Sequence, residues 1–258
     1  MLKKRIIPKF LVRGGRLVKA VRFHDNFREA GNPVSTAKVY DAYGVDELMF
    51  VDIDATPQGR PAAGSIVERV SEEVFMPFTV GGGIRTVEEI AALLASGADK
   101  VGITTAAVED PGFVRRAASR FGDQCIVVGI DYALDEAGVP RVVTHCGTRR
   151  TGLDALEWAQ RMQEEHAGEI MLCSIDRDGT MSGYDLDLIA RTSARLEVPL
   201  IASSGAGTLQ HCREALEAGA SAITISSMFL FSDHSPIKVR TYLATNGVRV
   251  RSQQGSFS

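Results

Sequence analysis

The sequence predicts an α/β fold, a single (β/α)8 TIM barrel, and two observations support this prediction. First, short β-branched runs alternate with amphipathic stretches along the chain, with no linker between them. Second, residues 77–105 align without a gap to residues 199–227, a two-fold internal repeat with an offset of 122 residues. Because an internal repeat constrains a fold more than local propensity does, the two equal halves favour a closed barrel over an open doubly wound sheet.

The first half contains four apolar runs with the length and composition of buried strands. They lie at residues 5–11, 47–53, 76–80 and 99–103. Amphipathic stretches predict helices between and after them, at residues 33–43, 61–73, 86–96 and 110–120. Asn32-Pro33 and Thr86 are N-cap signals, while Gly44 and Gly97 are typical stop signals.

The second half repeats this alternation. Its strands are predicted at residues 125–130, 169–175, 199–202 and 221–225, and its helices at 153–166, 185–195 and 208–218. Thr208 is an N-cap signal and Gly219 a stop signal, at the repeat positions of Thr86 and Gly97. We therefore predict one barrel domain at residues 1–250 and a disordered tail at 251–258.

Bulk composition narrows the possible partners and compartment. A net charge of −3 and a pI near 6.0 give no reason to expect nucleic acid or an anionic membrane as a partner. The four cysteines are scattered without a C-x-x-C pair, which predicts reduced thiols in a cytoplasmic protein. No metal or organic cofactor site is expected.

Two glycine-rich turns are predicted to bind phosphate. Residues 81–83 and 203–207 each follow a strand and open a helix, where backbone N–H groups can hold an anion. Hydroxyl pairs at 104–105 and 226–227 can complete each site. Either turn alone could be a simple connection, but the pair favours a ligand that is anionic at both ends, a bisphosphate or a sugar nucleotide. The candidate phosphate- and substrate-binding residues are Lys19, Gly82, Gly83, Thr104, Asp178, Ser204, Gly205, Ser226 and Ser227.

Aspartates close several predicted strands, at the end where barrel enzymes carry their catalytic groups: Asp52, Asp54, Asp131, Asp176 and Asp178. Asp131 ends the apolar run IVVGID, where burial easily raises a carboxyl pKa, and is the candidate catalytic residue. A cap or loop hydrogen bond is the structural alternative, and it is stronger for Asp52 and Asp54. Lys19 is either a solvated loop lysine or a group that reaches over a phosphate.

The motifs KRIIP, VGGGIRT, ADKVGI, QCIVVGID, GEIMLCSIDRDGTMSGYD and GAGT resemble the cyclase subunit of imidazole glycerol phosphate synthase, the HisF family, over nearly the whole chain. The resemblance implies a barrel that accepts ammonia from a HisH-like glutaminase at its base and passes it to a phosphorylated ribulosyl substrate at its top. It also implies that Asp99 contacts the glutaminase beside a salt-bridged ammonia gate of Arg5, Glu47, Lys100 and Glu169. A structural base plug is the alternative, although four buried charges are expensive as a stabilising device.

The top of the predicted barrel departs from that family. The two catalytic aspartates of the family match Leu11 and Asp131, so one carboxylate is missing, and Lys9 replaces the usual cysteine. We expect Lys9 to point away from Phe10, to the other face of its strand. Further changes lie at Thr104, Arg150 and Met181. Loss of one proton-transfer group typically costs about 10² to 10⁴ in rate, so we expect weakened cyclase chemistry.

This pattern is similar to the HisF-like glycosyl amidation-associated proteins, the WbuZ type. This resemblance implies two partners, a HisH-like glutaminase and an N-acetyl-sugar amidotransferase. Together the three proteins would convert an acetamido group of a sugar to an acetamidino group. The leading interpretation is therefore an ammonia-relaying barrel for amidation of a surface-polysaccharide sugar. The first alternative is a cyclase of histidine biosynthesis, a lyase forming imidazole glycerol phosphate and AICAR, with Asp131 helped by Asp178 or a water. A second alternative is a non-catalytic scaffold or a sugar-phosphate isomerase of the sister barrel family.

Overall fold

Eight parallel strands close into a barrel in the computed structural model, which describes residues 3–24 and 26–251. In chain order the strands are β1 (Arg5–Arg13), β2 (Arg16–Lys19), β3 (Arg28–Gly31), β4 (Leu48–Asp52), β5 (Phe78–Gly81), β6 (Lys100–Ile103), β7 (Ile126–Leu134), β8 (Pro140–Thr144), β9 (Arg149–Asp154), β10 (Glu169–Ser174), β11 (Leu200–Ser203) and β12 (Ala222–Ile225). The barrel runs β10-β11-β12-β1-β4-β5-β6-β7, and the pairing of β7 with β10 closes it. The predicted (β/α)8 barrel is confirmed.

Helices connect these strands along the outside of the barrel. They are α1 (Pro33–Ala42), α2 (Gly64–Ser71), α3 (Val87–Ala95), α4 (Thr105–Glu109), α5 (Gly112–Phe121), α6 (Ala155–Glu164), α7 (Leu186–Ser193), α8 (Leu209–Glu217), α9 (Ser227–Phe231) and α10 (Pro236–Thr245). In the part of the chain that the structure describes, none of them is long and apolar enough to cross a membrane.

The predicted N-caps act as such in the structure. The Asn32 side chain accepts hydrogen bonds from two backbone N–H groups at the start of α1, and Thr208 accepts one at the start of α8. Thr86 and Glu89 form a reciprocal capping box at the start of α3. Each of these caps satisfies N–H groups that have no partner within the helix.

Two hairpins at the top of the barrel were not predicted. β2 and β3 form an antiparallel ribbon that continues from β1, and β8 and β9 form another that continues from β7. Their outer strands, REAG and RRTGLD, contain no buried residue and carry no apolar alternation, which explains why the sequence pattern did not indicate them.

The side chains of the barrel strands separate into an outer and an inner layer, because successive residues point to opposite faces. Outside the barrel, Phe10 packs against Tyr40 and Phe50, with ring centroids 5.1 and 6.2 Å apart. Inside it, one apolar layer fills the lumen, formed by Ile7, Met49, Val127, Met171, Ile201 and Ala222.

The bounds of several elements in the two halves differ by 122 residues, among them β5 and β11, β6 and β12, and α3 and α8. The short helices α4 and α9 follow the same spacing. At the base of the barrel, where the strands begin, Lys4 forms a parallel bridge with Val250. The predicted disordered tail at 251–258 lies, from residue 252 onward, outside the described residues.

Candidate functional site

Four charged side chains form a closed ring at the base of the barrel. Arg5 donates to Glu47 (Nη1–Oε2 2.8 Å) and to Glu169, while Lys100 donates to Glu47 (Nζ–Oε2 2.8 Å) and Glu169 (Nζ–Oε1 2.6 Å). The hydroxyl of Thr79 donates to the second oxygen of Glu47 (2.7 Å). The structure thus brings together the four residues predicted as the ammonia gate, in a ring of alternating charge.

Charge pairing keeps Arg5 and Glu169 of this ring ionised. Burial opposes ionisation of Glu169, but the hydrogen bonds and charges of Arg5 and Lys100 outweigh it and lower the pKa of this carboxyl. Likewise, burial opposes the charge on Arg5, and the two glutamates overcome it and raise its pKa. Two cations and two anions therefore cancel, so the ring is a neutral polar closure of the lumen.

Asp99 lies beside the ring at the same end of the barrel. It precedes β6, is exposed, and accepts a hydrogen bond from the backbone N–H of Phe78 (2.9 Å). This contact holds Asp99 at the base without using its second carboxylate oxygen.

Asp131 lies in the upper part of β7, toward the opposite end of the barrel, and Cys173 of the neighbouring strand β10 is its pairing partner. Burial raises the pKa of Asp131 to about 6, although the nearby Lys9 charge and a hydrogen bond with Cys173 lower it. A carboxyl group with this pKa can exchange protons near neutral pH, as a general acid or base requires.

Leu11 places an apolar side chain at the lumen mouth, where the family resemblance implies a carboxylate. Lys9 lies one layer below it on the same face of β1, because Phe10 between them packs outward. Its ammonium contacts Ser203 (Nζ–Oγ 3.1 Å) and Cys173 (Nζ–Sγ 3.4 Å). The predicted orientation of Lys9, opposite to Phe10, is confirmed.

Lys19 is buried rather than solvated. It ends β2, and its ammonium contacts both carboxylate oxygens of Asp178, at 2.9 and 2.7 Å. Ser204 donates to the same carboxylate (3.3 Å). The ion pair of Lys19 and Asp178 links the end of β2 to the loop after β10. It lies at the edge of the second glycine-rich turn, residues 203–207, which is predicted to bind phosphate.

An open cavity with about 360 Å³ of empty space joins the second glycine-rich turn to the end of β1. The Oγ of Ser226 is buried there and has no hydrogen-bond partner among residues 3–24 and 26–251. Such an orphaned hydroxyl is suited to a polar ligand atom. The cavity is lined by Lys9, Leu11, Lys19, Asp178, Gly179, Ser203, Ser204, Gly205, Ala206, Thr224, Ser226 and Ser227.

In the first glycine-rich turn, and in the hydroxyl pair that accompanies it, polar groups already form hydrogen bonds within the chain. The backbone N–H of Gly83 donates to Thr56 (3.2 Å), and the hydroxyl of Thr105 accepts from the backbone N–H of His145 (3.1 Å). At Gly82 a Cβ would lie 2.1 Å from the carbonyl oxygen of Asp52, so only glycine fits. Thr104 directly precedes the short helix α4, and its side chain lies next to Gly129.

Three of the strand-end aspartates have structural partners. Arg60 forms an ion pair with Asp52 (2.7 Å), which also accepts from the backbone N–H of Ala63. Asp54 pairs with Arg13 (3.3 Å). Asp176 accepts from the backbone N–H of Leu134 (2.9 Å). The contacts of Asp52 and Asp54 match the structural alternative that the sequence left open for these two residues.

Sequence reasoning did not single out a polar cluster just below the lumen mouth. It consists of Lys9, Cys173, Ser203 and Thr224, with Thr224 donating to Ser203 (2.8 Å). The sequence pattern that could have indicated this cluster is a single polar residue at an inward-facing position of an apolar strand, which occurs in four of the barrel strands.

Comparison with known proteins gives the family. The sequence model of the family described as histidine biosynthesis protein matches residues 5–235. The imidazole glycerol phosphate synthase subunit HisF of Streptomyces coelicolor is 50% identical over 250 residues, covering 97% of this chain and 99% of that protein. Neither similarity supports the glycosyl amidation-associated branch in particular. With its barrel and its charged base ring, this chain belongs to the histidine biosynthesis protein family, as a HisF-like member.

Proposed function

We propose that this chain is the ammonia-using barrel subunit of an imidazole glycerol phosphate synthase, the first alternative from the sequence. The observation that most directly supports this proposal is the position of two features at the two ends of one lumen. They are a closed ring of charged side chains and Asp131, a carboxyl group suited to proton transfer. The similarity to HisF of Streptomyces coelicolor supports this alternative better than it supports sugar amidation.

The lumen has the properties that ammonia transfer requires. Above the ring, the inner layer is apolar, with Ile7, Val127 and Ile201 fully buried. Bringing an ammonium ion into such a layer costs far more than bringing in neutral ammonia. We therefore place ammonia entry at the ring of Arg5, Glu47, Lys100 and Glu169 and its reaction at Asp131.

The second glycine-rich turn is the proposed phosphate end of the substrate site. Gly205 has φ +102°, and a Cβ there would lie 2.1 Å from the carbonyl oxygen of Gly183. Gly205→Ala is therefore expected to deform the turn and weaken binding of inorganic phosphate at least about tenfold, as measured by calorimetric titration. Gly138→Ala is the matched control, because Gly138 also has positive φ (+76°) but nothing within 4 Å of its Cβ position. Equal phosphate affinity in both variants would remove the turn from the site.

A HisH-like glutaminase is the proposed partner at the base. Phe75 lies between α2 and the start of β5, at the same end as Asp99, and is 97% exposed. Covering a phenylalanine is worth about 1.5–3 kcal/mol, so Phe75→Ser is expected to weaken glutaminase binding at least about tenfold. Phe231→Ser serves as the control, since Phe231 is 45% exposed and follows β12 at the top. Binding isotherms that are equal for the two variants would place the partner elsewhere.

The direct test of the proposed function supplies the purified chain with a phosphorylated ribulosyl substrate and ammonium at alkaline pH. Loss of that substrate is followed over time. Turnover within a few tenfold of an ordinary cyclase is the expected result. Absence of turnover in a folded chain that still binds the glutaminase would overturn the proposal.

Leu11 is the specific observation that favours a second candidate, ammonia relay to an N-acetyl-sugar amidotransferase. On that candidate the first strand no longer takes part in proton transfer, and the cavity receives a sugar nucleotide. Glutamine-dependent amidation of an acetamido sugar with all three proteins present would support it. In either case the four free thiols favour a reducing, cytoplasmic compartment.

A further inference from the structure

Lys9 is a lysine inside the barrel whose charge no carboxylate neutralises directly. Among the described residues, no carboxylate oxygen forms an ion pair with it within 4.0 Å, whereas Lys19 contacts both oxygens of Asp178. Its two contacts, with Ser203 and Cys173, leave at least one of the three N–H donors of an ammonium free. That donor lies at the wall of the open cavity.

Cys173 connects Lys9 to Asp131. It lies directly opposite Asp131 in the pairing of β10 with β7, and its thiol helps to lower the pKa of that carboxyl. The same sulfur lies 3.4 Å from Nζ of Lys9 and 3.3 Å from Oγ of Ser204. A cation and a carboxyl group are thus held on two sides of one thiol, just above the apolar layer through which ammonia would arrive.

The protonation states fit this arrangement. Burial raises the pKa of the Cys173 thiol, which stays protonated near neutral pH. Burial opposes the charge on Lys9, but the polar and acidic groups around it, Cys173, Asp178 and Asp131, outweigh this and raise its pKa. Lys9 therefore carries a proton in the pH range in which Asp131 can lose its own.

We propose that Lys9 is a catalytic residue, the proton donor that takes over from the missing carboxylate at position 11. The proposal rests on the proposed function, in which ammonia attacks a substrate carbonyl at the lumen mouth. The nitrogen lone pair forms a C–N bond while the carbonyl π pair moves to oxygen. Lys9 gives a proton to that oxygen, and Asp131 takes one from the nitrogen. The proton on Asp131 then returns to Lys9, through the Cys173 thiol or solvent, so the step is balanced.

The test compares wild type with Lys9→Cys, Leu11→Asp and the double variant, using the ribulosyl substrate with ammonium. Lys9→Cys is expected to lower kcat by about 10² to 10⁴ and to leave KM nearly unchanged, as for the loss of a proton-transfer group. The double variant restores an acid on the first strand. Its kcat is expected to be at least tenfold higher than that of Lys9→Cys, which corresponds to roughly 1.4 kcal/mol in activation free energy. Lys9→Arg keeps the charge but cannot lose its proton, so it too is expected to be slow.

Each contrary result has a distinct meaning. If the wild type is active and Lys9→Cys has the same kcat, or differs from the wild type only in KM, the role of Lys9 is overturned but the proposed function is not. A double variant as slow as Lys9→Cys overturns the replacement of the carboxylate. A wild type without turnover overturns both proposals. Glutaminase binding at the base, far from position 9, checks that each variant is folded.

A second readout is independent of the size of the rate loss. Because the Lys9 charge lowers the pKa of Asp131, its removal is expected to move the acidic limb of the kcat profile upward from about pH 6. An acidic limb that stays in place in Lys9→Cys would show that the two groups do not act together.

Discussion

Asp131→Asn is expected to lower turnover of the ribulosyl substrate by about 10² to 10⁴, an effect as large as the one expected for Lys9→Cys. Asparagine keeps the shape of the side chain but cannot accept a proton as a base. Since burial raises the pKa of Asp131 to about 6, the wild-type rate is expected to fall as the pH drops through that value. The residual activity of the variant should lack this acidic limb.

Stability separates this catalytic effect from misfolding. A carboxyl whose pKa is raised on folding opposes folding once it is ionised, which holds for Asp131 above about pH 6. The urea midpoint of Asp131→Asn at pH 8 is therefore expected to equal or exceed that of wild type. Asp176→Asn is the control, because Asp176 accepts from a backbone N–H that an asparagine oxygen can still satisfy. Similar turnover in the two variants would contradict a catalytic role for Asp131.

Glu169→Gln is expected to have the largest effect at the base. It removes one anion from the ring and leaves Arg5 and Lys100 to share Glu47. Removing one partner of a buried ion pair typically costs about 3–5 kcal/mol, which urea unfolding at pH 7 would detect. Because pairing lowers the pKa of Glu169, its contribution is lost as the pH falls through that lowered pKa, so the variant should lose less stability in acid.

Glu217→Gln provides the matched comparison. Glu217 pairs with Arg213 at 2.7 Å, but its side chain is 49% exposed, and such surface pairs contribute only about 0–1 kcal/mol.

Glutamine-driven turnover, measured with the glutaminase, should fall more than ammonium-driven turnover in Glu169→Gln. If both activities change in parallel, the ring is a structural plug and not a gate.

The fold was largely predictable from sequence, because its main signals are local or periodic. Each of the eight barrel strands is a short apolar run, and the structure places all eight within a few residues of the predicted bounds. The hairpins β2–β3 and β8–β9 were not predictable in this way. Their pairing depends on strands β1 and β7 continuing past the barrel, and the exposed strand REAG has no pattern of its own.

The candidate site was predictable only in part, because its contacts join residues distant in sequence. The four ring residues could be named from the family resemblance, but their closed arrangement of alternating charges appears only in three dimensions. Lys19 was predicted to be solvated or to reach a phosphate, and it contacts Asp178, 159 residues away. That pairing requires the top loops after β1 and β10 to meet, which no local pattern encodes.

The bridge between Lys4 and Val250 affects how this chain can be engineered. Paired neighbours in a sheet are about 5 Å apart, so a few residues could join positions 4 and 250 into a continuous backbone. New ends could then be opened at Gly138, an exposed glycine in the turn between β7 and β8 at the other end of the barrel. In such a circular permutant, affinity tags and fluorescent fusions would project away from the base, the proposed glutaminase face, and leave it free for binding measurements.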